Sequence, residues 1–553
     1  MASCHIPPAG FRGVWRDDSL ARAVYSEAAG IGRIVPAAVA VPVDADDVVT
    51  LVRYAAERSL SLVPRGSGSS MAGGATGPGV IVDLSRIDDI GAIDPSGHWM
   101  QVGAGALRGE VDRAAMERGL RFPVDPSSGE FCTIGGMVAT NAAGPHSLRF
   151  GPTRDWVLAL DCVFADGTRA EVSRLAPVPA GVPALEAFFG DVAPILSEIS
   201  SEDLAHPGIV KNSSGYGLAA YRHSGKLVDL IVGSEGTLAV IVGVKLALAP
   251  AAHATSTVLG AFASLDDAVA AAVGARNAGA VACELLDRTF LDVASLGDAL
   301  TSPVAVLSAL PAATEALLLS EVEGGTEQKA EEAARALALS FEGAGATLTR
   351  VALGPTDQHE LWELRHAASP ILSRLDPALR SMQFIEDGAV PLDRLADYVR
   401  GVRAALDSRG IRGVIFGHAG DAHIHVNPLI DVTAPDWRSQ VEGLLDDVVN
   451  ITARLGGTLA GEHGDGRLRA PLLSRVWNDR FVGLFAMVKR AFDPLGILNP
   501  GVKVPLPNQR PLGEIKYDPD LAPLPDAARF ALDDISARRS YATSRLSLID
   551  GER

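Results

Sequence analysis

The second half of the segment GHAGDAHIHVN, residues 417–427, alternates polar and apolar side chains. In a strand, successive side chains point to opposite faces. His423, His425 and Asn427 then share one face, with Ile424 and Val426 packed behind them. His418 arrives from the Gly-rich turn just before, and GEHGDG at 461–466 adds Glu462, His463 and Asp465. Three imidazoles and a carboxylate that converge suggest a divalent-metal site with a spare base beside it. Such ligands suit zinc and its neighbours, and a three-ligand set leaves a position open for substrate. The competing reading is a histidine-rich turn held by backbone hydrogen bonds. No H-E-x-x-H and no paired C-x-x-C is present, so zinc-protease and zinc-finger readings fall away.

At 553 residues the chain is too long for a single core and should hold two or three domains. It is 47% hydrophobic and 21% charged, the balance of a globular protein. A formal net charge of −18 and the lack of any Lys/Arg run argue against nucleic-acid binding. Cys4, Cys132, Cys162 and Cys283 are scattered, which indicates neither a disulfide framework nor a ligated iron–sulfur cluster. A reduced, cytoplasmic compartment fits. The N-terminal residues lack the apolar core of a signal peptide, and no apolar run is long enough to span a bilayer. Peripheral membrane association stays open.

Strands are expected over Ile34–Val43, Ser61–Pro64, Ile81–Leu84, Trp99–Gly103, Val157–Phe164 and Arg169–Val172, with helices over Ala45–Arg58 and Gly109–Arg118. Leu227–Val232 and Ala239–Leu248 flank GSEGTL at 233–238. This mixture predicts an α+β domain over roughly 30–250. From Thr255 strand-like and helix-like segments alternate: Thr257–Phe262, Leu265–Asn277, Leu317–Glu323, Glu327–Glu342, Thr347–Leu353 and His359–Leu375. A second α+β domain follows, with helices over one face of an antiparallel sheet. It continues through strand Gly413–Phe416, the histidine strand, helix Trp437–Leu455, strand Gly457–Ala460 and helix Arg480–Phe492. Residues 506–553 read as an extended tail plus a short helix.

The loop PRGSGSSMAGG at 64–74 lets backbone N–H groups approach an anion without Cβ interference. It is neither a Walker A loop nor a G-x-G-x-x-G fingerprint. It is followed, in order, by DPSS with TIGGMVATNAAG (125–144), KNSSGYGL (211–218) and GSEGTL. Together these resemble the PCMH-type FAD-binding domain of vanillyl-alcohol-oxidase-type flavoproteins. GHAGDAHIHVN, GEHGDG and FDPLGILNPG (492–501) resemble the C-terminal domain of the FAD-linked oxidases, in the branch of D-lactate dehydrogenases, the glycolate oxidase flavin subunit and D-2-hydroxyglutarate dehydrogenase. FIEDGAVP at 384–391 is similar to a bacterial branch in which this flavin module is fused to an iron–sulfur module.

The resemblance implies an N-terminal extension (1–33), a PCMH-type FAD-binding domain (34–250), an α+β substrate and metal domain (251–505) whose C-terminal helical segment returns to the flavin, and a tail (506–553). It implies that Arg65, Gly66, Ser67, Gly68, Ser69 and Ser70 cradle the FAD pyrophosphate. Ser127, Ser128, Gly135, Gly136, Thr140, Asn141 and Ala142 would line the isoalloxazine and ribityl side. Ser234, Glu235 and Gly236 would bound the adenine side or the domain seam, and Asn499 would approach the flavin from the C-terminal segment. His418, His425 and Glu462 match the family's metal ligands, zinc being the expected ion. Asn427 and His463 match residues beside the substrate, with His423 next to them, where many relatives carry Asn. Arg365 matches an arginine that binds the substrate carboxylate. Lys211 reads as a surface or interdomain charge, and Glu386 and Asp387 as solvated carboxylates. The loop at 64–74 has no His or Cys, so FAD is expected to be non-covalent.

The expected reaction oxidises a D-2-hydroxy acid (D-lactate, glycolate or D-2-hydroxyglutarate) to the 2-oxo acid. FAD N5 accepts hydride, a metal polarises the hydroxyl, His463 acts as base and Arg365 clamps the carboxylate. The implied partner is a separate electron acceptor: an iron–sulfur protein, an electron-transfer flavoprotein, a cytochrome or a quinone. A homodimer is among the assemblies allowed. Two other readings compete: a non-redox FAD transferase of the same superfamily, and a flavin subunit of a larger electron-transfer complex.

Overall fold

The computed structural model describes residues 6–94, 96–295, 306–366, 378–539 and 543–550. In the N-terminal domain, β1 (Val14–Arg16), β2 (Ala38–Val41), β3 (Leu62–Arg65) and β4 (Val80–Asp83) form a sheet ordered β1-β2-β4-β3. Strands β2 and β3 both run parallel to β4, and β1 closes the edge antiparallel. The helix Ala45–Arg58 makes the β2–β3 crossover. Asp44 caps it by accepting from the N–H groups of Asp46 and Asp47, and Ser59 ends it in a left-handed conformation.

The next strands are β5 (Trp99–Gly103), β6 (Leu120–Arg121), β7 (Val157–Val163), β8 (Arg169–Ser173), β9 (Val240–Ala247) and β10 (Ala249–Pro250). Four of them form an antiparallel sheet ordered β5-β9-β7-β8, and β6 pairs with β10.

The C-terminal domain is an eight-stranded antiparallel sheet built from β11 (Ala254–Phe262), β12 (Ala282–Asp287), β13 (Ala316–Gly324), β14 (Ala346–Ala352), β15 (Leu379–Ser381), β16 (Gly388–Ala389), β17 (Arg412–His418) and β18 (His423–Asp431). Its order is β14-β11-β13-β12-β17-β18-β15, with β16 also on β18. The helices Leu265–Asn277, Glu327–Gly343, Leu395–Ser408 and Trp437–Arg454 bury one face against Leu285, Ile415, Ile424 and Val426. The opposite face packs Leu286, Leu319, Val414, Phe416 and Leu429 against the shorter helices Arg288–Ala294 and Pro355–His366. Helices thus lie on both faces, not one.

Some segments depart from the sequence reading. Leu227–Ile231 is helical, because a short buried apolar run carries no usable period. Gly457–Ala460 is not a strand; it contributes a single bridge, Thr458 to Ala389. The helix Ile134–Thr140 went unread because paired glycines lower helix propensity. Its Thr133 hydroxyl caps it by accepting from the Gly136 N–H at 3.2 Å. The portion of His359–Leu375 beyond residue 366 lies outside the described residues. The expected tail is two helices, Asp526–Arg538 and Thr543–Asp550, packed on the N-terminal domain. Cys132, Cys162 and Cys283 are buried free thiols. Among the described residues no helix is long and apolar enough to cross a membrane.

Candidate active site

Strand register assembles the histidine cluster. Glu284 on β12 faces His418 on β17, and His418 faces His423 on β18. Phe416 faces His425, and Val414 faces Asn427. The period-two pattern therefore puts Glu284, His418, His423, His425 and Asn427 on one face of three adjacent strands. Ile424 and Val426 lie in the core behind them.

Glu462 comes from the loop after helix Trp437–Arg454 and meets three imidazoles. Its Oε1 lies 3.4 Å from His418 Nε2 and 3.4 Å from His425 Nε2, and its Oε2 lies 3.8 Å from His423 Nδ1. Donor atoms of these four residues all lie within 4.8 Å of one another. Each imidazole commits its other nitrogen elsewhere: His418 Nδ1 to Glu284 at 2.5 Å, His423 Nε2 to Asp387 at 2.8 Å, His425 Nδ1 to the Glu386 carbonyl at 2.9 Å. A ring held by one nitrogen with the other turned to a common point is the arrangement of metal-ligating histidines. His423 Nδ1 is buried without a hydrogen-bond partner among the described residues. The chemistry of the donor set thus fits a divalent cation.

His463 stands at the open side. Its Nδ1 lies 2.6 Å from Glu386 Oε2, its Nε2 lies 3.6 Å from Glu462 Oε1, and its ring stacks on His425 at 5.3 Å. Burial pulls its pKa down, but the Glu386 and Asp387 carboxylates outweigh that and lift it to about 10. Burial dominates at His423 and lowers it to about 4. For Glu462, burial is outweighed by Lys211 and the imidazoles, which hold its carboxyl well below the usual range.

Of the three charges left at the margin by the sequence reading, Lys211 takes its interdomain alternative, and Glu386 and Asp387, expected to be solvated, are buried. Lys211 Nζ donates to Glu462 Oε2 at 3.2 Å and to the Gly144 carbonyl at 3.0 Å. Glu386 and Asp387 lie under the cluster, both paired with the buried Arg469. A buried charge survives by being paired, and these partners come from distant loops. Sequence reasoning also missed Glu284, on an unread strand. A glutamate within the apolar stretch ACELLD was the available signal.

A cavity of about 1400 Å³ runs from the glycine loop to this cluster. Drug-sized ligands occupy about 300–1,000 Å³, so it has room for a dinucleotide and a small acid. Arg65 to Ser70, Ser127, Ser128, Gly135, Gly136, Thr140, Ala142, Glu235 and Gly236 line one part. Arg365, Asn427, Glu462 and His463 line the other, joined by Arg380 and Gln383. Arg365 Nε donates to Glu284 at 2.8 Å, and its guanidinium lies 4.4 Å from the Phe416 ring centroid.

The loop is tight by construction. A Cβ on Gly66 would sit 2.1 Å from Thr133 Oγ1, and one on Gly135 2.7 Å from Ala104 Cβ. These glycines let backbone and neighbouring side chains approach closely at the cavity wall, and the Gly135 N–H itself donates to the Ala104 carbonyl at 2.8 Å.

Besides His418, held by Glu284 in the strand layer, four expected site residues stand back from the cavity. Asn141 ends helix Ile134–Thr140, its Oδ1 accepting from the Arg154 N–H at 2.9 Å. The Ser234 hydroxyl is buried beside the lining residue Glu235. Asn499 is a brace: it donates to the Gly74 and Glu235 carbonyls at 3.0 and 2.8 Å and accepts from Arg467 at 2.8 Å. His423, placed beside the substrate by the sequence reading, is fully buried behind His425 and faces Glu462.

The pattern of FAD-linked oxidase C-terminal domains matches residues 251–502, and that of an FAD-binding domain matches 36–173. The D-lactate dehydrogenase of Archaeoglobus fulgidus is 30% identical over 465 residues, 83% of this chain and 89% of that protein. The chain belongs to the FAD-linked oxidase family. The D-2-hydroxyglutarate dehydrogenase of Pseudomonas putida is 31% identical over 518 residues. That match takes in 89% of this chain, which spans about half (50%) of that longer relative. A solved 4-ethylphenol oxidase from Gulosibacter chungangensis, at 16% identity, shares the fold of this family member with a TM-score of 0.66, over 90% of this chain and 95% of its own. The glycine loop that lines the cavity falls within the matched FAD-binding segment.

Proposed function

We propose that this FAD-linked oxidase oxidises a short D-2-hydroxy acid to its 2-oxo acid. One observation carries the reading. The cavity lined by the glycine loop is also lined by a cation, Arg365, by His463, and by His425 and Glu462 of the histidine–carboxylate cluster. The names of the relatives add weight, since both dehydrogenases act on acids of this class.

Arg365 would hold the substrate carboxylate. Its Nε is anchored by Glu284 and its plane by Phe416, so the guanidinium reaches the cavity with little freedom left to lose. Asn427 lines the same wall and would hydrogen-bond the acid. His418, His423, His425 and Glu462 would hold a divalent ion, zinc suiting the donors best, with Asn427 and His463 facing its open side. That ion supplies Lewis-acid polarisation of the hydroxyl and carboxylate oxygens. With a bound cation opposing the proton that Glu386 and Asp387 otherwise hold on the ring, His463 Nε2 would be free to take the hydroxyl proton, and the two carboxylates would stabilise the imidazolium that forms. Bound FAD supplies the hydride acceptor, and the chain supplies orientation and charge. Electrons then leave for a separate acceptor: an iron–sulfur protein, an electron-transfer flavoprotein, a cytochrome or a quinone.

An anaerobic visible spectrum with a panel of D- and L-2-hydroxy acids tests this. Bleaching of the flavin by one D-acid is expected. A bound flavin that no hydroxy acid reduces would turn the reading towards the non-redox transferase.

A further inference from the structure

Residues 516–539 and 543–550 lie beyond the matched family segment, which ends at 502, yet they close one side of the FAD cavity. Helices Asp526–Arg538 and Thr543–Asp550 bury Ala528, Ala531, Ile535 and Ile549 in a core shared with Val24, Tyr25, Val39 and Ile81. This packing delivers Arg545, 1% exposed, to the floor of the glycine loop. Its Nη1 donates to the Ser67 carbonyl and its Nη2 to the Gly66 carbonyl at 2.9 Å. Lys516, Arg529 and Arg539 line the same end of the cavity.

The charge count at the loop is unbalanced. Arg65 and Arg545 both lie over the Tyr25 ring, each 5.2 Å from its centroid. The carboxylate in contact with Arg545 is Asp83, at 3.4 Å, and its Oδ2 already accepts from the Tyr25 hydroxyl at 2.6 Å. Glu27 and Asp533 line the cavity too, but both are paired with Arg529, at 3.1 and 2.9 Å. Arg65 Nε, Arg545 Nε and Ser70 Oγ are buried without a hydrogen-bond partner among the described residues. Buried cations in excess of buried anions are costly unless a further anion arrives. Burial, with Arg545 adding repulsion, lowers the Arg65 pKa to about 9, the sign of a missing counter-charge.

We infer that residues 516–539 and 543–550 form the outer wall of the diphosphate–adenosine half of the FAD site, with Arg545 bracing the phosphate loop and completing its positive charge. This rests on the family's FAD reading. Its test is affinity, not turnover. FAD and riboflavin, which lacks the diphosphate and adenosine, are titrated into flavin-free Arg545→Gln and Arg539→Gln chains by fluorescence. Arg545→Gln is expected to weaken FAD at least about tenfold, a loss comparable to one charge-assisted hydrogen bond, while changing riboflavin binding by less than about twofold. Arg539→Gln, at an exposed position, should weaken FAD by about threefold, and added salt should shrink that difference. An unchanged FAD-to-riboflavin affinity ratio in both variants, in a wild-type chain that binds FAD, would overturn the inference alone. A wild-type chain that takes up neither flavin would overturn the cofactor reading and this inference with it.

Discussion

The glycine loop at 64–74 and the histidine cluster on β17 and β18 meet in one cavity but are built in opposite ways. The loop offers backbone. Its side chains are small, and a Cβ at Gly66 would run into Thr133 Oγ1. The cluster offers side chains, and each imidazole is aimed by a carboxylate or a carbonyl behind it. A backbone site fails when something is added, and a side-chain site fails when something is taken away. Substitutions should therefore separate cofactor retention from chemistry.

The largest separation is expected at His463. His463→Ala should slow anaerobic flavin reduction by about 10²–10⁴-fold while leaving FAD bound. Stopped-flow reduction and the flavin-to-protein absorbance ratio measure both, and normal reduction would sink the base assignment. Next, Glu462→Ala removes the acceptor of a buried lysine. It should cost about 3–5 kcal/mol of stability, as breaking a buried ion pair does, and should abolish metal retention in elemental analysis. Retained metal would remove Glu462 from the ligand set. Arg365→Lys keeps the charge but loses the planar fork. It should lower kcat/KM by about tenfold or more, mostly through KM. Gly135→Ala should cost about 1–3 kcal/mol by overpacking and should release flavin without releasing metal. Joint loss of both would dissolve the contrast between the two regions.

The smallest expected effect is a pH dependence that the metal switches. In the metal-free chain the folded-state pKa of His463 is raised to about 10, above the unfolded value. Its stabilising contribution is then fully present below about pH 6.5 and is lost as pH rises through about 10. The melting temperature of chelator-treated protein should fall over that interval, and His463→Ala should flatten the fall. A bound cation beside the ring opposes the same proton, so the metal-loaded protein should show less of it.

Local chemistry accounts for what was legible in the sequence. The Asp-rich start at 44–47, the alternation at His423–Asn427 and the glycine-rich segments are each local features of the chain. They led to helix Ala45–Arg58, to the histidine face and to the FAD-binding reading. What stayed hidden was pairing at a distance. Lys211 and Glu462 are 251 positions apart, and Arg365 and Glu284 are 81 apart. A lone lysine or a glutamate in an apolar strand gives no sign of such a partner, so Lys211 was left between a surface and an interdomain role and Glu386 and Asp387 were read as solvated. The helices after residue 525 were read as tail for the same reason: their apolar stripe finds its complement on β2 and β4.

Arg545 and Ser67 are separated by 478 residues. Contacts of such sequence separation form late, since a long loop must close before they repay its entropy. The β2–helix–β3 unit can therefore fold early with its glycine loop still slack. In refolding, helical signal should recover ahead of flavin capture. A chain halted at that stage would hold its domains but not its dinucleotide, and free FAD would act on the slow step by trapping the docked C-terminal helices.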